Sequence, residues 1–278
     1  MASLTFAVVG ATVSNSDVYK SSRAPKQDFE KDVRKNEYLE VGVWQIPDLI
    51  KIDKGGEDTY FISVDGYSFG VFDGVGGWAK KGVDSREYSY KLSQSCKMVA
   101  DEKKIKDPVQ ILSLGYEAAK GTIGSTTACV VSIQEKQCLG ANLGDSGFLI
   151  IRNNKVLFRS EDQQFSFNFP YQLGSNSRNT PSQAATSKHS LRPGDIIVLS
   201  TDGVLDNLFP EDILQIISSE KAQPAQIIAK KIAQGAFSKS QNRNIMVPFG
   251  VNAKAQKGYD YMGGKADDIT ALVCKIRE

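Results

Sequence analysis

The stretch FGVFDGVGGW, residues 69–78, poses the question on which the fold turns: an apolar, branched run of strand type, Phe69 to Phe72, ends on a charge, Asp73, followed by glycine-rich turn material. Asp-Gly is a common way to leave a strand, and taken singly the pair reads as a turn. The same arrangement recurs, however. Asp202 follows IIVLST and precedes Gly203, Asp145 stands in NLGDSG between two apolar runs, and Asp267-Asp268 immediately precedes ITALV. Each acid lies where a strand meets a turn, so strand ends converging on one side of a sheet would hold several carboxylates close together. Unpartnered carboxylates at that density repel, and a clustered pair retains a proton. A divalent cation removes the conflict, and hard ions such as Mg2+ and Mn2+ take oxygen ligands. A glycine after Asp73 and after Asp202 lets the backbone approach closely, and a peptide carbonyl there is itself a candidate ligand.

The elements around these acids indicate an α+β chain. Tyr60 to Val64, Asp65-Gly66, then Tyr67 to Phe72 reads as a hairpin, and the pattern turns helical from Ser85 to about Ala100. Asp107-Pro108 is a helix start, a capping side chain followed by proline at the first helical position. Four short apolar runs follow, 125–132, 137–143, 147–152 and 155–159, separated by turn material, which argues for an antiparallel meander rather than strand-helix-strand repeats. Residues 196–199 and 269–276 add strands, and Pro210 to Ser219 and Pro224 to Phe237 read as amphipathic helices. The stretch 238–264 shows no clear periodicity and is expected to be a loop, a candidate flap beside the site.

Composition narrows the function. The chain has 278 residues, 41% hydrophobic and 24% charged, enough for one substantial core, and with no linker or low-complexity tract a single domain over 1–278 is expected. The net charge of +2 is spread rather than clustered, so nothing marks a nucleic-acid footprint. The opening MASLTFAVVGATV is too short for a membrane span and lacks a signal peptide's positive flank; it reads as a first strand. Cys96, Cys129, Cys138 and Cys274 are widely spaced with no C-x-x-C, which fits buried free thiols in an intracellular protein rather than a zinc site. A single histidine, His189 in TSKHSLRPGD, reads as a loop residue and leaves little room for histidine chemistry.

GEDTYFI (56–62), FGVFDGVGGW (69–78), GSTTACV (124–130), ANLGDSG (141–147), LRPGDIIVLSTDGVLDNL (191–208) and ADDITALV (266–273) resemble, in order and spacing, the metal-dependent type-2C protein serine/threonine phosphatases, the PPM family. The DGVGGW form and the later PFGVNA are similar to the branch called the T-cell-activation or mitochondrial type. The resemblance covers roughly residues 4–278. It implies two packed antiparallel sheets with helices outside, a four-layer αββα sandwich. It also implies that Asp73 bridges two Mg2+ or Mn2+ ions, with the Gly74 carbonyl on one of them and Asp202 and Asp267 on the other. Glu57 and Asp58 then act largely through coordinated waters, Asp145 belongs to a weaker third metal position, and Asp268 and Asp206 support the site from behind. Asp73, Asp202 and Asp267 become the residues on which catalysis depends.

The implied reaction is hydrolysis of phosphoserine or phosphothreonine in protein substrates by a water bridging the two ions. The alternative is a pseudophosphatase that binds a phosphorylated or regulatory partner without turnover, and an unrelated hydrolase of small phosphate esters shares the same chemistry. A monomer in the cytoplasm is the default expectation, and the resemblance also admits mitochondria. The sequence departs from the family twice. Val75 stands where many members carry a histidine proposed to protonate the leaving group, and the arginine often found shortly before the Glu-Asp pair is missing, leaving Lys54 as a candidate phosphate contact.

Overall fold

The computed structural model describes residues 33–277; the strand read into the first thirteen residues lies outside them. The strands in chain order are β1 (Arg34–Lys35), β2 (Leu39–Ile46), β3 (Thr59–Ile62), β4 (Ser68–Phe72), β5 (Ser125–Thr126), β6 (Ala128–Gln134), β7 (Gln137–Leu143) and β8 (Gly147–Arg152). There follow β9 (Lys155–Arg159), β10 (Gln164–Ser166), β11 (Phe169–Pro170), β12 (Leu173–Gly174), β13 (Ala185–Ser190), β14 (Ile196–Ser200) and β15 (Ile269–Ile276). The helices are α1 (Ser85–Glu102), α2 (Pro108–Ala119), α3 (Asp202–Leu205), α4 (Pro210–Glu220), α5 (Ala225–Ser240) and α6 (Pro248–Lys257).

Two antiparallel sheets carry the architecture, one six-stranded in the order β1-β2-β15-β14-β8-β9 and one five-stranded in the order β13-β7-β6-β4-β3. Alternation explains why both are buried on both faces. Val71, Cys129 and Val131 face Ile150, Ile197, Leu199 and Leu272 in the core between the sheets. The opposite faces pack under helices: Phe72, Val130 and Leu143 meet Leu92, Cys96 and Leu112 of α1 and α2, while Val198, Ala271 and Val273 meet Ile228, Ile232 and Ala236 of α5. The result is the expected αββα order of layers. In α5 the buried side chains recur every three or four residues, so one stripe faces the sheet. Its entry is fixed by Gly42 of β2, where a Cβ would stand 2.4 Å from the Gln226 amide nitrogen, and by the buried Glu40 carboxylate, which accepts from the Ala225 N–H at 2.8 Å.

The stretch 238–264 is not the long loop expected from its lack of periodicity. Helix α5 runs on to Ser240, and α6 begins with Pro248 at its first turn and ends at Gly258, which has φ 71°. Proline at the start and a left-handed glycine at the end are sufficient stop signals for a helix whose apolar stripe is short. His189 likewise lies in a strand, β13, opposite Cys138, with its ring centroid 4.0 Å from that of Phe158.

Candidate active site

Antiparallel pairing decides where the acids meet. Ser200 at the end of β14 pairs with Ala271 near the start of β15 and with Gly147 at the start of β8, so Asp202, Asp267-Asp268 and Asp145 leave the six-stranded sheet at one edge. In the other sheet Phe72 at the end of β4 pairs with Thr59 at the start of β3, which places Asp73 beside Glu57-Asp58. The Asp73 carbonyl accepts from the Thr127 N–H at 2.9 Å and from the Thr126 hydroxyl at 2.7 Å, fixing the strand exit.

The two edges are joined through Asp58 and Asp268. Asp58 is buried, and its Oδ2 accepts from the hydroxyls of Thr201 and Thr270, both at 2.7 Å, from the opposite sheet. Asp268 reaches the other way: Oδ1 accepts from the Asp48 N–H at 2.8 Å and Oδ2 from the Glu57 N–H at 2.9 Å. Asp268 therefore braces the loop that carries Glu57. Glycine is needed at two of these turns. A Cβ on Gly74 would meet the Ser85 carbonyl oxygen at 2.5 Å and that of Glu57 at 2.8 Å, and one on Gly203 would meet the Asp268 carbonyl oxygen at 2.0 Å.

The electrostatics follow from crowding acids at a buried edge. Burial, and then the neighbouring Asp202, push the Asp73 carboxyl well above its ordinary range, and Asp145 is raised for the same two reasons. Burial and Asp268 raise Asp58; burial and Asp202 raise Asp267 to about 6; burial lifts Asp206 to about 7 against the pull of Lys265. Asp202 is the exception. Burial would raise it, but the Lys265 ammonium overrides burial and holds the carboxyl below its usual range. Carboxyls that cannot all ionise together are a poor structural choice and a good receptor for positive charge.

Two lysines hold the acids together. Lys51 Nζ lies 2.7 Å from Glu57 Oε2, 3.0 Å from Asp268 Oδ2 and 3.5 Å from Asp267 Oδ1. Lys265 Nζ lies 2.5 Å from Asp202 Oδ2, 2.7 Å from Asp206 Oδ2 and 3.2 Å from Asp267 Oδ2. Lys54, the cation expected near the phosphate, is exposed at the end of a short 3-10 turn and takes no part in these contacts; Lys51, one turn earlier, does. Arg86, in the first turn of α1, turns inward: its Nη1 donates to the carbonyls of Gly55, Gly56 and Asp58. Neither lysine nor the arginine carries a sequence signal beyond its charge.

The donor set fits a divalent cation in one specific respect. Oδ1 of Asp58, of Asp145 and of Asp202 is buried without a hydrogen-bond partner, three carboxylate oxygens aimed at nothing that satisfies them. Buried acceptors are normally paired, so such a group of orphans calls for a cation. Among the described residues no three or more histidine, cysteine, aspartate or glutamate side chains stand so as to hold a metal ion together; ammonium groups bridge the acids instead. A pocket of about 200 Å³ opens beside them, lined by Asp145, Asp162, Gln164 and Asp206, and a second of about 540 Å³ opens beside Val75 and Trp78. Val75 brings no titratable group, and His189 pairs at the end of β7 opposite to Asp145, away from this edge.

Fold and site together define a two-sheet α+β sandwich with an acidic edge. A family profile described as Stage II sporulation protein E (SpoIIE) matches residues 63–277. The chain is 39% identical over 243 residues to "Probable protein phosphatase 2C 55" of Arabidopsis thaliana, covering 86% of this chain and 52% of that protein. It is 36% identical over 253 residues to "Protein phosphatase PTC7 homolog fig" of Drosophila virilis, covering 82% and 80%. Among solved structures, "X-ray structure of the photosystem II phosphatase PBCP" superposes with a TM-score of 0.81 at 30% identity, covering 86% of this chain and 99% of that one. The catalytic domain of PstP, described as "in complex with 2 Manganese ions", shares the fold at TM-score 0.62 and 14% identity, covering 87% and 99%. The chain belongs to the PPM family of type-2C protein phosphatases. It spans about half the length of that Arabidopsis relative. No helix among the described residues is long and apolar enough to cross a membrane.

Proposed function

We propose that this chain is a metal-dependent phosphatase that hydrolyses phosphoserine or phosphothreonine in protein substrates, acting as a single catalytic domain. The observation that carries the reading is the group of orphaned oxygens on Asp58, Asp145 and Asp202 at the edge where both sheets deliver their acids. Asp73, Asp202 and Asp267 with the Gly74 carbonyl are the candidate holders of a pair of Mg2+ or Mn2+ ions, Glu57 and Asp58 act around them, and Asp145 is the candidate for a weaker third. Such ions, when bound, activate water near neutral pH and neutralise phosphate charge. The chain's own residues do the rest. Thr201 and Thr270 orient Asp58, Asp268 holds the Glu57 loop, and the two lysines offset the carboxylate charge. With Val75 in place of a proton donor, the leaving alkoxide is protonated from solvent in the open cleft. Four buried free thiols fit a reducing compartment.

The test is phosphate release from a phosphothreonine peptide with Mn2+ or Mg2+ added, and again with EDTA. Turnover abolished by EDTA, and by Asp73→Asn and Asp202→Asn in folded protein, is expected. Wild-type protein that is inert with every metal yet retains a phosphoprotein from solution makes the chain a pseudophosphatase.

A further inference from the structure

Lys265 is built into the acidic edge, not draped over it. Asn207, fully buried, accepts the Lys265 N–H through Oδ1 at 3.0 Å and donates through Nδ2 to the Lys265 carbonyl at 2.9 Å, so the backbone aims the side chain. The ammonium ends among Asp202, Asp206 and Asp267 and 5.3 Å from the centroid of the Phe249 ring, which α6 supplies. Asp267 is engaged at both oxygens: Lys265 takes Oδ2, while Lys51 and the Asp268 N–H take Oδ1. Asp202 gives Oδ2 to Lys265, has its carboxyl against that of Asp73, and keeps Oδ1 without a donor. A divalent ion drawn to Asp202 and Asp267 thus meets a fixed unit charge already in contact with both, in a buried setting where like charges repel strongly.

We infer that Lys265 is an internal competitor for the divalent metal, a positioning residue whose charge weakens metal binding at Asp202 and Asp267 and so sets the free-metal concentration at which the enzyme works. The inference rests on the metal-dependent reading above. It differs in sign from a bracing role: a lysine that only held the acids in place would strengthen metal binding, and its loss would weaken it. Tethered ammonium also gives the acids a partner of their own, so the edge stays assembled over a range of metal supply.

The measurement is Mn2+ binding to the whole chain by titration calorimetry and by the electron-spin signal of free Mn2+, neither of which needs turnover. Lys265→Met keeps an unbranched side chain and deletes the charge. It is expected to tighten Mn2+ at least about tenfold, well inside what repulsion from one unit charge at contact distance allows with an effective dielectric near 20. The Mn2+ concentration for half-maximal phosphate release is expected to fall in parallel. Lys265→Arg, which keeps the charge, is expected to stay within about threefold of wild type. If Lys265→Met fails to show a cooperative melt, Lys265→Gln carries the same comparison. Neutral variants that bind Mn2+ no more tightly than wild type, or more weakly, overturn the inference while leaving the phosphatase reading intact. Wild-type protein that binds no Mn2+ overturns both.

Discussion

Replacing Arg86 by methionine is expected to raise the metal requirement of the enzyme while leaving its maximal rate almost unchanged. Nη1 of Arg86 lies 2.9 Å from the Gly55 carbonyl oxygen, 3.0 Å from that of Asp58 and 3.3 Å from that of Gly56, so one guanidinium nitrogen gathers the loop that presents Glu57 and Asp58. A nitrogen with a pair of protons makes about two good charge-assisted hydrogen bonds, each contributing roughly 1.5–3 kcal/mol. Arg86 is half-buried, which puts the total near the lower end, about 3 kcal/mol. Asp268 still holds the Glu57 amide in the variant, so the loop loosens without leaving. A site competent only in a fraction of molecules binds its ligand more weakly by that fraction. Since about 1.4 kcal/mol corresponds to tenfold, the half-saturating Mn2+ is expected to rise between about tenfold and a hundredfold. The assay is phosphate release from a phosphothreonine peptide across a Mn2+ series, with turnover at saturating metal staying within about threefold. Unchanged half-saturation in a variant that melts like wild type would refute the reasoning. So would a collapse of turnover that no amount of metal restores.

Asp206 has its folded pKa raised to about 7, against about 3.9 in an unfolded chain. The native state therefore keeps a proton that the unfolded state has lost, and the associated stability, present below pH 4, is lost as pH climbs to about 7. In chelator, urea midpoints at pH 5 and pH 8 are expected to differ less in Asp206→Asn than in wild type, and equal differences would count against the assignment. Gly203→Ala is expected to cost several kcal/mol, because its Cβ would stand 2.0 Å from the Asp268 carbonyl oxygen, whereas Gly55→Ala, with open space but φ 78°, should cost about 1 kcal/mol. Thermal melts of the two decide this, and equal losses would show that the edge yields more easily than its packing suggests.

The acids of the edge were legible in the sequence because each interrupts a pattern. An apolar strand that stops on Asp-Gly is visible without coordinates, and antiparallel pairing then brings the end of β14 beside the starts of β8 and β15. The cations were not legible. Lys51 in KIDKGGED and Lys265 in GGKADD look like solvated surface charges, and only the fold of the 48–57 turn and the Asn207 contacts bring them onto the carboxylates. Lys54 stays at the surface while the same 3-10 turn places Lys51, three residues earlier, against Glu57. Arg86 lies in the first turn of α1, two residues after the Asp84 cap, so nothing local distinguishes it from an exposed arginine. Helix α6 escaped because PFGVNAKAQK buries only Pro248, Gly250 and Ala253, too few for a period, although its proline and following glycine bracket it. Strand β13 escaped because ATSKHS lies at a sheet edge and has no apolar alternation to read.

Asp58 stands on one sheet and takes both its hydroxyl donors from the other, across the seam of the sandwich. Sliding one half of the molecule against the other by a single residue would part the Thr201 and Thr270 donors from their acceptor before the helices on either side had moved apart. Heat or denaturant should consequently silence the enzyme ahead of gross melting, and a loosened molecule would be inert instead of indiscriminate. On the phosphatase reading proposed above, the seam makes the site fail shut.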